Sequence, residues 1–362
     1  MNARLITISG AGGKEPAAFL VEADGRRMLL DCGEGPEPGV LPDFSAIGRV
    51  DAIVLSHAHK DHAGALRLRD RIGSPPIFAT EPVMTRLPHG MAAHPVPIRG
   101  RTQVLGIDIE TGADGHAPGG VWLRLDAGAG LLYMGDCSTE SSVYCFDPPP
   151  AAATMIFDAS YGDAEEMQSR QRAALADLAE QRGAMLLPVP PDGRAVEMAI
   201  FLQAAGFPVA IDAAVREVAI QLTQSARASA RPASVPALER LVREARELDG
   251  DSPSSGVMLA HGASADVGVA AALVSRWRDQ ADPAIVLTGH VADGTTSRAL
   301  LDGGRAQFQR WNVHPTFAQN VQLIERVGPR QLIPAFGDTH FLALWRDCLA
   351  PREVITSKVV EL

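Results

Sequence analysis

The stretch Ser56-His57-Ala58-His59-Lys60-Asp61-His62-Ala63-Gly64 decides how this chain is interpreted. It places three imidazoles and a carboxylate within six residues, directly after the apolar run Ala52-Ile53-Val54-Leu55. Imidazole and carboxylate side chains are common ligands of zinc and similar divalent ions. The alternative is an exposed polar turn that opens a helix, with Asp61 in its first turn. Because clustered histidines seldom lack a partner, the stretch favours a metal site at the end of a strand.

The composition is that of a globular protein with an acidic balance. The chain has 362 residues, 46% of them hydrophobic, which is enough for two domains or for one domain with a large insertion. The formal net charge is -10 at pH 7, so any contact with nucleic acid must be local. The four cysteines form no C-x-x-C pair, and no uninterrupted apolar segment approaches about 20 residues. We therefore expect a cytoplasmic protein with no membrane partner.

The pattern of predicted elements changes along the chain. The first ~160 residues alternate short β-rich runs with Gly and Pro turns. Helix and strand patterns then alternate, with helices at 164–182 and 195–205 and strands at 184–189 and 207–211. A late strand is predicted at 331–335. This change indicates a layered α/β domain inserted into a β-rich one.

The pattern His57-x-His59-x-Asp61-His62 resembles the signature of the metallo-β-lactamase superfamily. In that family the first two histidines bind one metal ion, and the Asp-His pair binds a second. Three further segments are similar to the family's other motifs, in the family's order: Asp31-Cys32-Gly33, Asp114 to Gly120 and Tyr133 to Ser138. The resemblance implies that His116 completes the first site, that Asp136 bridges the two ions, and that Asp31 orients ligands without binding metal.

The middle of the chain resembles the β-CASP branch of this superfamily, which includes RNA-processing and DNA-repair nucleases. The similar segments are Thr154 to Asp163, Leu187 to Glu197, Val286 to Leu301 and Trp311 to Thr316. They put Asp158 and His314 at two motif positions of the branch. The implied fold class is α/β, a metallo-β-lactamase αββα sandwich with an inserted β-CASP-like α/β cap. Residues 1–165 and 301–362 would form the sandwich, and residues 166–300 the cap.

Two positions depart from the branch. RNA-directed members end the last motif strand with a metal-binding His, but Phe336 stands at that position, and phenylalanine cannot bind zinc. DNA-directed members carry an apolar Val there, so Phe336 weakens an RNA assignment without establishing a DNA one. His340 is either a replacement ligand or a solvent-facing loop residue. His261, where many members have Ser, either meets a phosphate or caps a helix, and we favour the cap.

The resemblance implies two Zn²⁺ sites, with Mn²⁺ as an alternative ion. One site would consist of His57, His59, His116 and Asp136, and the other of Asp61, His62 and Asp136. Because Phe336 offers no ligand, we expect the second site to be labile. Such a metal lowers the pKa of a water molecule to about 7, and two metals neutralise a phosphate during in-line displacement.

The catalytic group implied by the resemblance consists of Asp61, His314 and Asp158. His314 would donate a proton to the leaving oxygen, and Asp158 would orient an imidazole through a hydrogen bond. Arg194 and Arg298 are predicted phosphate contacts, since a guanidinium binds two phosphate oxygens at once. For each arginine, a surface salt bridge is an equally good interpretation.

Three classes of function stay open at this point. We favour a metal-dependent phosphodiester hydrolase, a β-CASP-type nuclease that acts on single-stranded nucleic acid, with RNA favoured over DNA. The second class is a non-nucleolytic metallohydrolase of a small ester or thioester, because a fold does not determine a function. The third is a catalytically weakened nucleic-acid-binding subunit. The oligomeric state is open, and a homodimer is one option.

Overall fold

The computed structural model describes residues 3–362, which form two compact units. The first unit consists of residues 3–139, 144–165 and 314–362, and the second of residues 140–143 and 166–313. The chain therefore returns to the first unit at residue 314, whereas the sequence analysis put this return at residue 301. The physical reason is strand pairing, because a strand at Ala306–Phe308 extends the sheet of the second unit.

The described part of the first unit contains two seven-stranded sheets. The first sheet has the spatial order β20-β1-β2-β3-β4-β5-β6. Its strands are β1 (Ala3–Ser9), β2 (Ala18–Ala23), β3 (Arg26–Leu30), β4 (Ala52–Val54), β5 (Ile77–Ala79), β6 (Ala93–Pro95) and β20 (Val359–Glu361). The second sheet has the order β19-β18-β11-β10-β9-β8-β7. Its strands are β7 (Gly100–Val104), β8 (Ile107–Ala113), β9 (Val121–Leu125), β10 (Leu131–Tyr133), β11 (Thr154–Asp158), β18 (Gln331–Ala335) and β19 (Glu353–Val354).

The two sheets pack face to face, and helices cover their outer faces. Alternate residues of one strand point to opposite faces, so Phe19 and Val21 join the core between the sheets while Leu20 faces the helical layer. Both faces are buried, which explains the continuous apolar runs in these strands. The helices of this unit are α1 (Lys60–Ala63), α2 (Glu81–Met84), α9 (Phe317–Val327) and α10 (Leu342–Leu349), with 3-10 turns at Gly64–Ile72 and Thr339–Phe341. The predicted αββα sandwich is confirmed.

The second unit is built on a six-stranded sheet whose described strand pairs are all parallel. Its strands are β12 (Met185–Val189), β13 (Val209–Ile211), β14 (Arg246–Glu247), β15 (Val257–His261), β16 (Ala284–Leu287) and β17 (Ala306–Phe308). Its helices are α3 (Gln168–Arg182), α4 (Arg194–Ala204), α5 (Ala213–Thr223), α6 (Val235–Glu244), α7 (Gly268–Trp277) and α8 (Thr296–Asp302). Parallel neighbours need crossover connections, which the helices provide. The inserted α/β unit is thus the layered domain that the sequence predicts.

None of the helices among residues 3–362 is both long and apolar enough to cross a membrane.

Candidate metal centre

The polar side chains of the first unit gather where its strands end. His57 follows β4 after two residues, and the short helix α1 begins directly after His59. His116 lies in the loop between β8 and β9, Asp136 follows β10, and Asp158 is the last residue of β11. Strand ends are a natural place for such residues, because a rigid sheet positions the loops that carry them.

The first ligand group consists of His57, His59, His116 and Asp136, whose ligand atoms lie within 4.8 Å of one another. Nε2 of His57 is buried and has no hydrogen-bond partner among the described residues. It lies 3.8 Å from Oδ2 of Asp136, and Nε2 of His116 lies 3.5 Å from the same oxygen. Burial, followed by the neighbouring histidines, holds the pKa of His57 well below its usual value. A neutral imidazole with a vacant nitrogen is the form that binds metal.

The second ligand group consists of Asp61, His62 and Asp136. Nε2 of His62 lies 3.2 Å from Oδ1 of Asp136, and its Nδ1 lies 2.7 Å from Oδ2 of Asp31. Burial opposes protonation of His62, but Asp136 and Asp31 outweigh it and hold the pKa of His62 well above its usual value. Both nitrogens of this imidazole therefore have carboxylate partners.

Phe336 lies beside the second ligand group. Its ring packs edge-on against the His62 ring, with 5.1 Å between ring centroids, and only 8% of the residue is exposed. His340 lies elsewhere in the first unit. Its side chain is exposed, its Nδ1 is 3.0 Å from Oδ1 of Asp338, and its ring packs on Phe341. The groups of described residues that could hold a metal do not include His340.

Asp31 is the centre of a buried hydrogen-bond network. Its Oδ1 accepts from the main-chain N of Ser56 at 2.7 Å. Its Oδ2 accepts from the Ser56 hydroxyl at 2.6 Å and from the Tyr133 hydroxyl at 2.5 Å. Burial, followed by the charge of Asp31, holds the pKa of Tyr133 well above its usual value, so its hydroxyl stays a donor. The arrangement agrees with the orienting role predicted for Asp31.

Sequence reasoning missed Ser56 and Tyr133. Both stand next to motif residues, Ser56 directly before His57 and Tyr133 three residues before Asp136. The sequence signal for both residues is a hydroxyl group at an otherwise apolar strand end. Such a hydroxyl is expected to be buried, and a buried hydroxyl normally has a hydrogen-bond partner.

His314 and Asp158 form a pair at the edge of the first ligand group, in which Asp158 is buried and His314 is partly exposed. Nδ1 of His314 lies 2.8 Å from Oδ2 of Asp158 and 3.9 Å from Oδ2 of Asp136. Burial disfavours the charged form of each, but their mutual attraction wins, raising the pKa of His314 and lowering that of Asp158. The hydroxyl of Ser160 also donates to Asp158, at 2.6 Å. The pairing with Asp158 therefore favours the protonated form of His314.

Asp114 lies two residues before His116, and sequence reasoning assigned it no role beyond its place in a motif. It is fully buried, and its Oδ1 accepts from the main-chain N of His116 at 2.8 Å. Burial raises the pKa of its carboxyl group to about 8.

Arg194 and Arg298 belong to the second unit. Arg194 is the first residue of α4, and it packs so closely on Gly289 that a Cβ there would lie 2.3 Å from its Nη2. Arg298 donates to the main-chain O of Val291 at 2.7 Å. Arg298 also lies 3.5 Å from carboxylate oxygens of Asp293 and Asp302. The predicted salt-bridge role of Arg298 is thus present, and phosphate contact stays a prediction for both arginines.

The first ligand group fits a divalent metal ion. It combines imidazole nitrogens and a carboxylate within reach of one ion, and the unpartnered Nε2 of His57 is costly to bury unless a ligand occupies it. The second group offers fewer donors, with the carboxylates of Asp61 and Asp136 available beside His62. When bound, divalent ions supply Lewis acidity toward a phosphoryl or carbonyl oxygen and acidify water.

Comparison with known proteins agrees with the site. The family model of the metallo-β-lactamase superfamily matches residues 11–175. This match confirms the resemblance to the metallo-β-lactamase superfamily seen in the sequence. The chain is also similar to curated relatives, in agreement with the resemblance to the β-CASP branch.

Three curated relatives illustrate the match. Ribonuclease TTHA0252 of Thermus thermophilus is 26% identical over 56% of this chain and 55% of the relative. Transcription termination factor FttA of Methanothermobacter thermautotrophicus is 26% identical over 56% of this chain and 39% of the relative. Cleavage and polyadenylation specificity factor subunit 2 of Arabidopsis thaliana is 24% identical over 81% of this chain and 48% of the relative. The chain thus spans about half the length of these relatives or less.

A solved structure, a protein of unknown function from Enterococcus faecalis V583, covers 100% of both chains with a TM-score of 0.64 and 14% identity. At this identity the match shows a shared fold alone.

Proposed function

We propose that this chain is a metal-dependent phosphodiester hydrolase, a nuclease of β-CASP type that acts on single-stranded RNA. The observation that carries the proposal is that three groups of described residues that could hold a metal all include Asp136. They are the first ligand group with four residues, the second with three, and a further group of Asp136, Asp158 and His314. A shared carboxylate between two divalent ions suits in-line displacement at a phosphodiester. The names of the relatives, a ribonuclease and RNA-processing factors among them, favour RNA as the polymer.

The side chains divide the work of the reaction. The first ligand group would hold one Zn²⁺, and Asp61, His62 and Asp136 would hold a second, with Mn²⁺ as the alternative ion. Asp31 orients His62 through its Nδ1, and Tyr133 and Ser56 keep Asp31 in place. His314, whose contact with Asp158 favours its protonated form, is the proposed proton donor for the leaving oxygen. Arg194 and Arg298 are proposed to contact phosphates of the bound strand.

The location and assembly of the protein are also proposals. All four cysteines lie within residues 3–362 and are free, which suits the reducing cytoplasm. A homodimer is the assembly to test, by light scattering of the purified chain.

The direct test is cleavage of end-labelled single-stranded RNA and of DNA with the same sequence, by protein loaded with zinc or manganese. His59→Ala removes a ligand of the first group, and His89→Ala is the matched control, since His89 is exposed and outside the metal-binding groups. We expect RNA cleavage that is lost in the first variant and kept in the second. Intact polymers despite bound metal would refute the proposal and direct the search to small esters and thioesters. Preferential DNA cleavage would reassign the substrate to the DNA-directed class.

A further inference from the structure

Asp114 ties together the two loops that carry His116 and Asp136. Its Oδ1 accepts from the main-chain N of His116 at 2.8 Å and from that of Ala117 at 3.4 Å. Its main-chain O accepts from the N of Ser138 at 2.9 Å, two residues after Asp136. Its own N donates to the O of Gly120 at 3.2 Å, which closes the loop around His116. One residue therefore holds the main chain next to two ligands of the first group.

The glycines around Asp114 leave room for this arrangement. A Cβ on Gly120 would lie 2.0 Å from Oδ2 of Asp114, so any other residue would displace the carboxylate. Gly115 has a φ of +76°, and a Cβ there would lie 2.0 Å from the main-chain O of Ser138. Both close approaches involve Asp114 or the loop it binds, and both need residues without a side chain.

Burying the carboxyl group of Asp114 costs free energy that closing a turn does not require. It is 0% exposed, and its Oδ2 is buried without a hydrogen-bond partner among the described residues. Burying a polar atom without a partner costs about 1 to 3 kcal/mol in proteins. A serine could cap the same turn with its one hydroxyl oxygen and would leave no second oxygen to bury. A turn-closing role alone therefore accounts poorly for an aspartate here.

We propose that Asp114 is a positioning residue of the metal centre, whose carboxyl oxygen sets the loop that carries His116 and hence the place of His116 Nε2 relative to His59 and Asp136. Nε2 of His116 lies 3.0 Å from Nδ1 of His59, so a small rotation of this loop changes the distances within the ligand group. The ligand concerned is a divalent cation. The inference rests on the metal-binding part of the proposed function.

The test compares Asp114→Ala with Asp114→Asn, which keeps an oxygen that accepts from the N–H of His116. Zinc affinity is measured by competition with a chromophoric chelator, and ligand geometry by the visible absorption of the Co²⁺-loaded protein. We expect Asp114→Ala to weaken zinc binding by about 10- to 100-fold and to change the Co²⁺ spectrum, as is typical for partners of metal ligands. Asp114→Asn should stay within about threefold of the unchanged chain. Asp126→Ala is the control, since Asp126 is an exposed residue of the same unit.

Several results would overturn the inference. If Asp114→Ala binds zinc as tightly as the unchanged chain and has the same Co²⁺ spectrum, the inference is wrong, whatever the thermal stability of the variant. Equal losses of zinc affinity in the Ala and Asn variants would also overturn it, because the accepting oxygen would then not determine the affinity. Should Asp114→Ala fail to fold, Gly120→Ala replaces it, because its Cβ presses on the carboxylate while Asp114 remains. Unchanged zinc binding in a folded Gly120→Ala would count against the inference. Failure of the unchanged chain to bind zinc would instead refute the proposed function, and the inference with it.

Discussion

The first and second ligand groups share Asp136 but differ in whether a histidine nitrogen is left without a hydrogen-bond partner. In the first group, Nε2 of His57 is buried and has no hydrogen-bond partner within residues 3–362. In the second, both nitrogens of His62 face carboxylates, and Phe336 packs on its ring. The charged states differ accordingly, since the pKa of His57 is held below its usual value and that of His62 above it. We therefore expect the first group to bind metal more tightly, because the nitrogen of His57 has no other partner that a metal ion must displace.

The largest effect that separates the two groups should come from His59→Ala. His59 belongs to the first group only, so zinc affinity there should fall by more than about 100-fold, the upper range for residues that merely support a ligand. Zinc content after dialysis against a weak chelator measures this, and the unchanged chain should retain one tightly held ion. Equal retention by the variant would show that the first group is not the stronger one.

A smaller effect should come from Asp31→Asn in the metal-free protein. The raised pKa of His62 means that its ion pairs contribute fully below the unfolded histidine pKa, about 6.5, and lose their contribution as the pH rises through the folded value. We expect the substitution to cost about 3 kcal/mol at about pH 6 and clearly less at about pH 10. Urea unfolding at the two pH values measures the difference. A cost independent of pH would mean that His62 is neutral and that the contrast between the groups is absent.

Phe336→His should strengthen the second group. It adds an imidazole beside His62, and histidine tolerates the φ of +63° at this position better than most residues. Affinity for a second zinc ion should rise by at least about 10-fold, measured as zinc bound per chain during titration. Phe336→Leu is the matched control, since it changes the side chain without adding a donor and should bring no gain. Equal gains in both variants would contradict the role assigned to the missing ligand.

The smallest effect is expected from His340→Ala. Its side chain is exposed and paired with Asp338, outside both ligand groups. Zinc content should not change, and stability should shift by less than about 0.5 kcal/mol, as for most surface substitutions. Loss of a bound ion would restore His340 as the replacement ligand.

Local patterns in the sequence were enough to predict several residues of the candidate site. His57, His59 and His62 are close in the chain, and a short helix beginning after His59 is enough to bring them together. The sheets were also readable, because apolar runs and their periodicity report burial within a single element. Contacts between distant segments were not readable in this way. His314 and Asp158 are 156 residues apart, and only the resemblance to a family put them in one site.

The sequence by itself determined the chemical character of the centre and the presence of an inserted α/β unit, and its resemblance to a known family implied the αββα class. Residue types and short spacings are local properties, so they can be recognised without knowledge of the fold. Only the tertiary structure decided that Tyr133 donates to Asp31, that Asp114 joins two ligand loops, and that His62 has no vacant nitrogen while His57 does. Strand register and sheet packing bring these atoms within hydrogen-bonding distance, and both depend on contacts made across the whole unit.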